Sequence, residues 1–216
     1  MTGRILGAVL AGGRSSRFGS DKAIALLDRR SLLDHVVDAL SDQVDTVVVC
    51  GRASAKRLCL PDRPHPDLGP LGGLAAALRY GLDHGYGAVV SVGCDTPILP
   101  ADLVLRLQCA GPVSLLRDLP ISGLWPTALS PVLDRFIIEK PSRAMRAWAE
   151  SVEAIAIDLP QPIANINTTR DLRRLERAAN PDPTGSTGQD GSDSHTPDLA
   201  RILVSIPDRR ETPPDH

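Results

Sequence analysis

Short apolar runs alternate with amphipathic stretches from Arg4 to Leu159, and this alternation limits the folds open to the chain more than any other feature. "RILGAVL" (4–10), "VDTVVVC" (44–50) and "AVVSVGC" (88–94) carry no charge beyond Arg4 and Asp45 at their starts, as expected of strands buried on both faces. Between them, "SLLDHVVDALSDQ" (31–43) repeats Leu33, Val36, Val37 and Leu40 at helical spacing, and Ser31 with Asp34 forms a capping-box-like start. "GPLGGLAAALRYGLDHG" (69–85) reads as a helix with glycines at its start, where backbone or ligand can approach closely, and "PADLVLRLQ" (100–108) as a helix beginning at proline. "GPVSLL" (111–116) and "ISGLWPTAL" (121–129) read as strands, the second placed at an edge or a bulge by Pro126. Two helices, "SPVLDRFII" and "SRAMRAWAESV", precede a strand "EAIAIDL" and a last helix "TTRDLRRLERAA". The tryptophans in "LWP" and "RAWAE" are expected to pack. Strands alternating with helices predict an α/β fold, three layers deep, with a mostly parallel central sheet.

Composition narrows the function classes. With 216 residues and 42% apolar content the chain can bury a substantial core. A formal charge of −2 lacks the basic surplus of a general nucleic-acid binder. No run approaches the ~20 apolar residues of a membrane span. The N-terminal apolar run leads into a cationic glycine loop rather than a cleavage site, so a cytoplasmic protein is expected. The 4 cysteines (Cys50, Cys59, Cys94, Cys109) show neither a C-x-x-C pair nor zinc spacing and are expected to act as small buried hydrophobes. From Asn180 the composition changes to Gly, Pro, Ser and Asp ("NPDPTGSTGQDGSDSHTPD"), which predicts a domain over 1–179 and a disordered tail over 180–216 with one apolar run, Ile202–Ile206.

Three segments fall at the carboxyl ends of the expected parallel strands, where open α/β sheets bind ligands. The first, "LAGGRSSRFGSDK", matches neither G-x-G-x-x-G nor the Walker pattern. Its Gly12 and Gly13 let backbone amides face a ligand, and Arg14, Arg17 and Lys22 add charge suited to a triphosphate; a plain glycine turn with solvated arginines is the alternative. In the second, Asp62 and Asp67 precede "GPLGG", which shapes either a nucleotide pocket or an unliganded crossover loop. In the third, "CDTPILP", Asp95 ends an uncharged strand and is placed to hold a hard divalent cation such as Mg2+, or else to cap its own turn. Asn165 and Asn167 alternate in "ANINTT", so an extended backbone points both the same way, towards a ligand or a metal's waters; Asn167 or Thr168 can equally cap the last helix. Arg170, Arg173, Arg174 and Arg177 make one side of that helix basic, a solvated face or one turned to an anionic substrate.

The ordered set "LAGGRSSRFGSDK", "D-x6-GPLGG", "CDTPILP" and "NINTTRDL" resembles the nucleotidyltransferase superfamily built on a Rossmann-like, glycosyltransferase-A type fold. Within it the chain is most similar to the molybdenum cofactor guanylyltransferases, from about Ile5 to Arg177. The resemblance implies transfer of GMP from GTP to the phosphate of molybdenum-molybdopterin, with pyrophosphate released and Mg2+ as cofactor. It implies nucleotide binding by Leu10, Ala11, Gly12, Lys22, Cys50, Asp62 and Asp95, catalysis by Arg17, Lys22 and Asp95, metal binding by Asp95, and acceptor binding by Asn165 and Asn167. Cys50 stands where bacterial members carry asparagine; a thiol lacks the amide's paired donor and acceptor, so recognition there must shift, with the Gly51 backbone or Arg52 as replacements. The expected partners are GTP, molybdenum-molybdopterin and the molybdoenzymes or chaperones that receive the product, with no nucleic acid and no membrane, and a monomeric chain. Two rivals share these motifs in part: a sister nucleotidyltransferase using CTP or another phosphorylated acceptor, and a nucleotide-binding cofactor-delivery protein without turnover.

Overall fold

In the computed structural model, which describes residues 3–12, 25–53, 57–140 and 144–179, the apolar runs assemble into one seven-stranded sheet. Its strands are β1 (Ile5–Leu10), β4 (Thr46–Cys50), β5 (Cys59–Leu60), β6 (Ala88–Gly93), β7 (Ser114–Leu116), β8 (Gly123–Pro126) and β9 (Ile155–Ile157), in the order β5-β4-β1-β6-β8-β7-β9. A separate two-stranded hairpin, β2 (Leu26–Leu27) with β3 (Arg30–Ser31), precedes the first helix. The helices are α1 (Leu32–Ser41), α2 (Pro70–Asp83), α3 (Leu103–Ala110), α4 (Ser130–Glu139), α5 (Met145–Ser151) and α6 (Thr169–Ala179).

Strand alternation sorts the core into two layers. Leu6, Ala8 and Leu10 of β1, with Val48 and Cys50 of β4, pack under Leu71, Leu74 and Leu78 of α2 and under α4 and α5. Val9, Val49, Val90 and Val92 face the other way, against Val36 and Leu40 of α1 and Leu103 and Leu107 of α3. The result is three layers with helices on both faces of the sheet, as expected for strands without charge. Trp125 and Trp148 are wholly buried, their ring centroids 6.3 Å apart, and Phe136 meets Trp148 edge-on at 5.5 Å, so both tryptophans are packing groups. The Trp125 Nε1–H donates to Ser91 Oγ at 2.9 Å, which satisfies a polar pair inside the core. Among the described residues no helix is long and apolar enough to cross a membrane.

Several expectations need correction. β8 is interior: it lies antiparallel between β6 and β7, and Pro126 is tolerated because it is the strand's last residue. After it, Thr127 resumes the backbone bonding by donating to the Gly87 carbonyl. The third helix starts at Leu103 rather than at the proline, because Ala101 and Asp102 form a turn. Neither β5 nor the β2–β3 hairpin was expected, since strands of two residues are too short for a periodic signal. All 4 cysteines are free, but only Cys50 is buried; Cys109 is exposed, off the Leu103–Val104–Leu107 face of α3. The expected tail over 180–216 lies outside the described residues.

Candidate functional site

Four parallel strands, β5, β4, β1 and β6, end side by side, so the loops that follow them line one crest of the sheet. Asp62 follows β5, Gly51 and Arg52 follow β4, Ala11 and Gly12 follow β1, and Asp95 follows β6. Three spacings of about 4.8 Å separate the outer strands, roughly 14 Å in all, enough to hold a base and its α-phosphate at different strand ends. Backbone bonds fix the loops: Ala11 N–H donates to Cys50 O at 2.9 Å, Gly51 N–H to Leu60 O at 3.1 Å and Cys94 N–H to Leu10 O at 3.3 Å.

Gly51 is required where it stands. Its φ is +81°, and an ideal Cβ there would lie 2.6 Å from Gly12 Cα and 2.7 Å from Gly12 N. Two backbones therefore touch at the start of the glycine loop, with no side chain between them. Beside this contact opens a cavity of about 670 Å³, lined among others by Gly12, Gly51, Arg52, Pro61, Asp62 and Asp67. Asp62 stands against α2, where ideal Cβ atoms on Gly72 and Gly73 would reach it at 3.0 Å and 3.7 Å. Its Oδ1 is buried and accepts no hydrogen bond among the described residues.

Burial, and then the neighbouring Asp67 carboxylate, push the Asp62 carboxyl above the ordinary aspartate range. Such a group holds its proton more tightly folded than unfolded. Its favourable contribution to stability is therefore full below the unfolded value near 3.9 and is lost as pH rises through the higher folded value. At neutral pH the ionised carboxylate costs the ligand-free protein stability. Asp62→Asn is expected to raise the ligand-free melting temperature at pH 7–8, with the gain vanishing towards pH 4, and to shrink the shift produced by nucleotide. A gain independent of pH would show that the carboxylate's charge is not the cause.

Asp95 lies half-buried in the turn after β6, its carboxylate folded back over the strand: an ideal Cβ on Gly93 would lie 2.3 Å from Asp95 Oδ1. Glycine at 93 thus leaves the space the carboxylate uses. Among the described residues no three His, Cys, Asp or Glu side chains cluster as a metal cage. A single carboxylate nonetheless fits Mg2+, which keeps several waters and takes its other ligands from substrate phosphates.

On the far side of Asp95 the chain returns: Ile166 N–H donates to Asp95 O at 2.8 Å. Ile166 is buried with Leu27, Leu32, Ile98 and Leu175. Asn165 enters a second cavity, about 240 Å³, with Ile163, Ala164, Asp171, Arg174 and Leu175, and its Oδ1 is buried without a hydrogen bond among the described residues. Asn167 is exposed at the start of α6 and does not line that cavity. The helix is capped by Thr168, whose Oγ1 accepts from Asp171 N–H, while Asp171 Oδ2 accepts from the Asn167 and Thr168 amides. Arg170, Arg173, Arg174 and Arg177 are exposed on α6.

The structure therefore gathers Gly12, Asp62 and Asp95 on one crest and brings Asn165 to its edge. Leu10 is buried in the core, and Ala11 is half-buried. Cys50 is wholly buried, an ideal Cβ on Gly73 lying 3.0 Å from its own, and burial raises its thiol far above the usual range. It lines neither cavity and meets the glycine loop through its carbonyl. Arg17 and Lys22 lie outside the described residues.

A family model described as the MobA-like NTP transferase domain matches residues 7–154. The chain is 40% identical over 193 residues to a molybdenum cofactor guanylyltransferase of Rhizobium leguminosarum bv. trifolii, covering 80% of this chain and 92% of that protein. It is 37% identical over 182 residues to one from Rhodobacter capsulatus, covering 80% and 95%. Among solved structures, molybdopterin-guanine dinucleotide biosynthesis protein A from Archaeoglobus fulgidus superposes with a TM-score of 0.66 at 22% identity, covering 80% of this chain and 97% of that one. A 2-C-methyl-D-erythritol 4-phosphate cytidylyltransferase from Thermus thermophilus shares the fold, with a TM-score of 0.59 at 15% identity over 83% of this chain and 99% of that one.

Proposed function

Because the chain belongs to the MobA-like NTP transferase family and is a nucleotidyltransferase, we propose that it transfers GMP from GTP to the phosphate of molybdenum-molybdopterin and releases pyrophosphate. The observation that carries the guanylyl reading is the 40% identity, over four-fifths of the chain, to a relative of that name. The crest supports it with a cavity for a nucleoside at the Asp62 end and a carboxylate fit for Mg2+ at the Asp95 end.

An oxygen of the acceptor's phosphate attacks the α-phosphorus of GTP. A new P–O bond forms, and the bond from the α-phosphorus to the α,β-bridging oxygen breaks, with its electron pair leaving on pyrophosphate. The attacking phosphate is already ionised at neutral pH, so no strong base is needed, and none is assigned. The chain's task is to bring two anions together and keep them in line. The Gly12 backbone, with Arg17 and Lys22 of the same loop, binds the triphosphate and offsets its charge. Asp95 holds Mg2+, which when bound supplies charge neutralisation at the phosphates. Asn165 and Asn167, tied next to Asp95 by the Ile166 amide, orient the acceptor.

Purified protein with Mg2+ and molybdenum-loaded molybdopterin is expected to release pyrophosphate with GTP and not with CTP, yielding the guanine dinucleotide form of the cofactor. Release with CTP alone would keep the fold and the chemistry but overturn the base. Silence with both, from protein that still melts later when GTP is added, would overturn the acceptor.

A further inference from the structure

Resting on the guanylyl reading, we propose that the cavity at Asn165 seats the flat pterin of the acceptor and that Arg174, at its mouth, holds the acceptor's phosphate. At about 240 Å³ the cavity is smaller than the roughly 300–1,000 Å³ that encloses a whole ligand, so it has room for one ring system and not for a nucleotide. Its apolar walls are Pro162, Ile163 and Ala164 with the buried Ile166 and Leu175, surfaces on which a flat ring can lie. Asn165 Oδ1 is buried among them and accepts no hydrogen bond among the described residues, so the cavity calls for an occupant that carries N–H donors. The pyrimidinone edge of a pterin carries two such groups side by side, a ring N–H and an amine.

Arg174 differs from the other arginines of α6. Arg170, Arg173 and Arg177 border the open hollow along the helix and not this cavity, whereas Arg174 borders both. It is exposed while the next residue, Leu175, is buried, which places it at the mouth. The carboxylate in the cavity wall, Asp171, is engaged, since its Oδ2 accepts from the Asn167 and Thr168 amides. Among the described residues no ion pair neutralises Arg174. The mouth also lies close to the chemistry, because Ile166 N–H donates to Asp95 O at 2.8 Å and so holds Asn165 beside the turn proposed to carry Mg2+. A phosphate monoester bears about −1.5 to −2 charges at neutral pH. A guanidinium fork meets two of its oxygens at once and leaves the third free to attack the α-phosphorus.

Pyrophosphate release tests this, with GTP and molybdenum-loaded molybdopterin varied in turn. Arg174→Ala is expected to raise the KM for the acceptor about 10-fold or more and to leave the KM for GTP within about 2-fold of wild type. Arg174→Lys should recover part of the loss, because it keeps the charge and lacks the fork. Arg173→Ala removes an equal charge away from the cavity and should change the acceptor KM by less than about 2-fold in physiological salt. Free pterin, which has the ring and no phosphate, should compete with the acceptor and not with GTP, at the same inhibition constant in wild type and in Arg174→Ala. Melting temperatures report whether each variant is folded. Equal effects of Arg174→Ala and Arg173→Ala on the acceptor KM, or an equal rise in the KM for GTP, would overturn the phosphate contact. Competition of pterin with GTP alone, or with neither substrate, would overturn the ring's place in the cavity. If wild type releases no pyrophosphate from GTP with this acceptor, the guanylyl reading itself falls, and the assignment of Arg174 falls with it.

Discussion

Asp95→Asn is expected to slow pyrophosphate release by about 10²-fold or more while leaving the melting temperature within a degree or two of wild type. Asparagine has the same shape, so the side chain can still lie over Gly93, where an added Cβ would come within 2.3 Å of Oδ1. The backbone is untouched, and the Asp95 carbonyl still accepts from Ile166 N–H. Only the negative charge is lost, and with it the anchor for a hard cation. The Mg2+ concentration giving half-maximal rate should therefore rise along with the fall in kcat. Near-normal turnover at unchanged Mg2+ demand would leave Asp95 as a turn-capping residue and nothing more.

Gly51→Ala is expected to cost about 2–5 kcal/mol of stability, the sum of a positive-φ penalty and an overpacked contact. Its Cβ would meet the Gly12 Cα and N, both backbone atoms, so no rotamer change can relieve the clash. Because the displaced atoms begin the glycine loop proposed to bind the triphosphate, GTP affinity should also fall at least about 10-fold. Gly85→Ala is the matched control: its φ is +73°, yet nothing lies within 4 Å of the added Cβ. That variant should pay only the conformational penalty, about 1–2 kcal/mol, with GTP binding unchanged. Equal losses in urea denaturation would mean that the Gly12–Gly51 approach is soft.

Much of the architecture is legible in the chain because uncharged runs can only be strands covered on both faces, and Ser31 caps α1 through Asp34 N–H at 3.0 Å as its spacing implies. The same lack of charge hides which face each strand residue takes. In "VVVC" no alternation shows that Cys50 turns into the α2 layer. The direction of β8 was equally hidden, because a short apolar run with a terminal proline reads alike in a parallel and an antiparallel ladder. At the site, Asp62, Asp95 and the asparagines stand out as polar groups at strand ends. Their assembly depends on contacts between distant segments, such as Ile166 on Asp95 and Gly51 on Gly12, which no local pattern encodes.

The small cluster of Leu27, Leu32, Ile98, Ile166 and Leu175 ties together the β2–β3 hairpin, the turn after Asp95, and α6. It is separate from both large layers of the core, so it can open without disturbing the sheet. In hydrogen exchange these three segments should then lose protection as one unit, at a lower free energy than β1 or β6. The Ile166 amide would report that unit directly, and its slowing on addition of acceptor would time the moment the two halves of the site lock together.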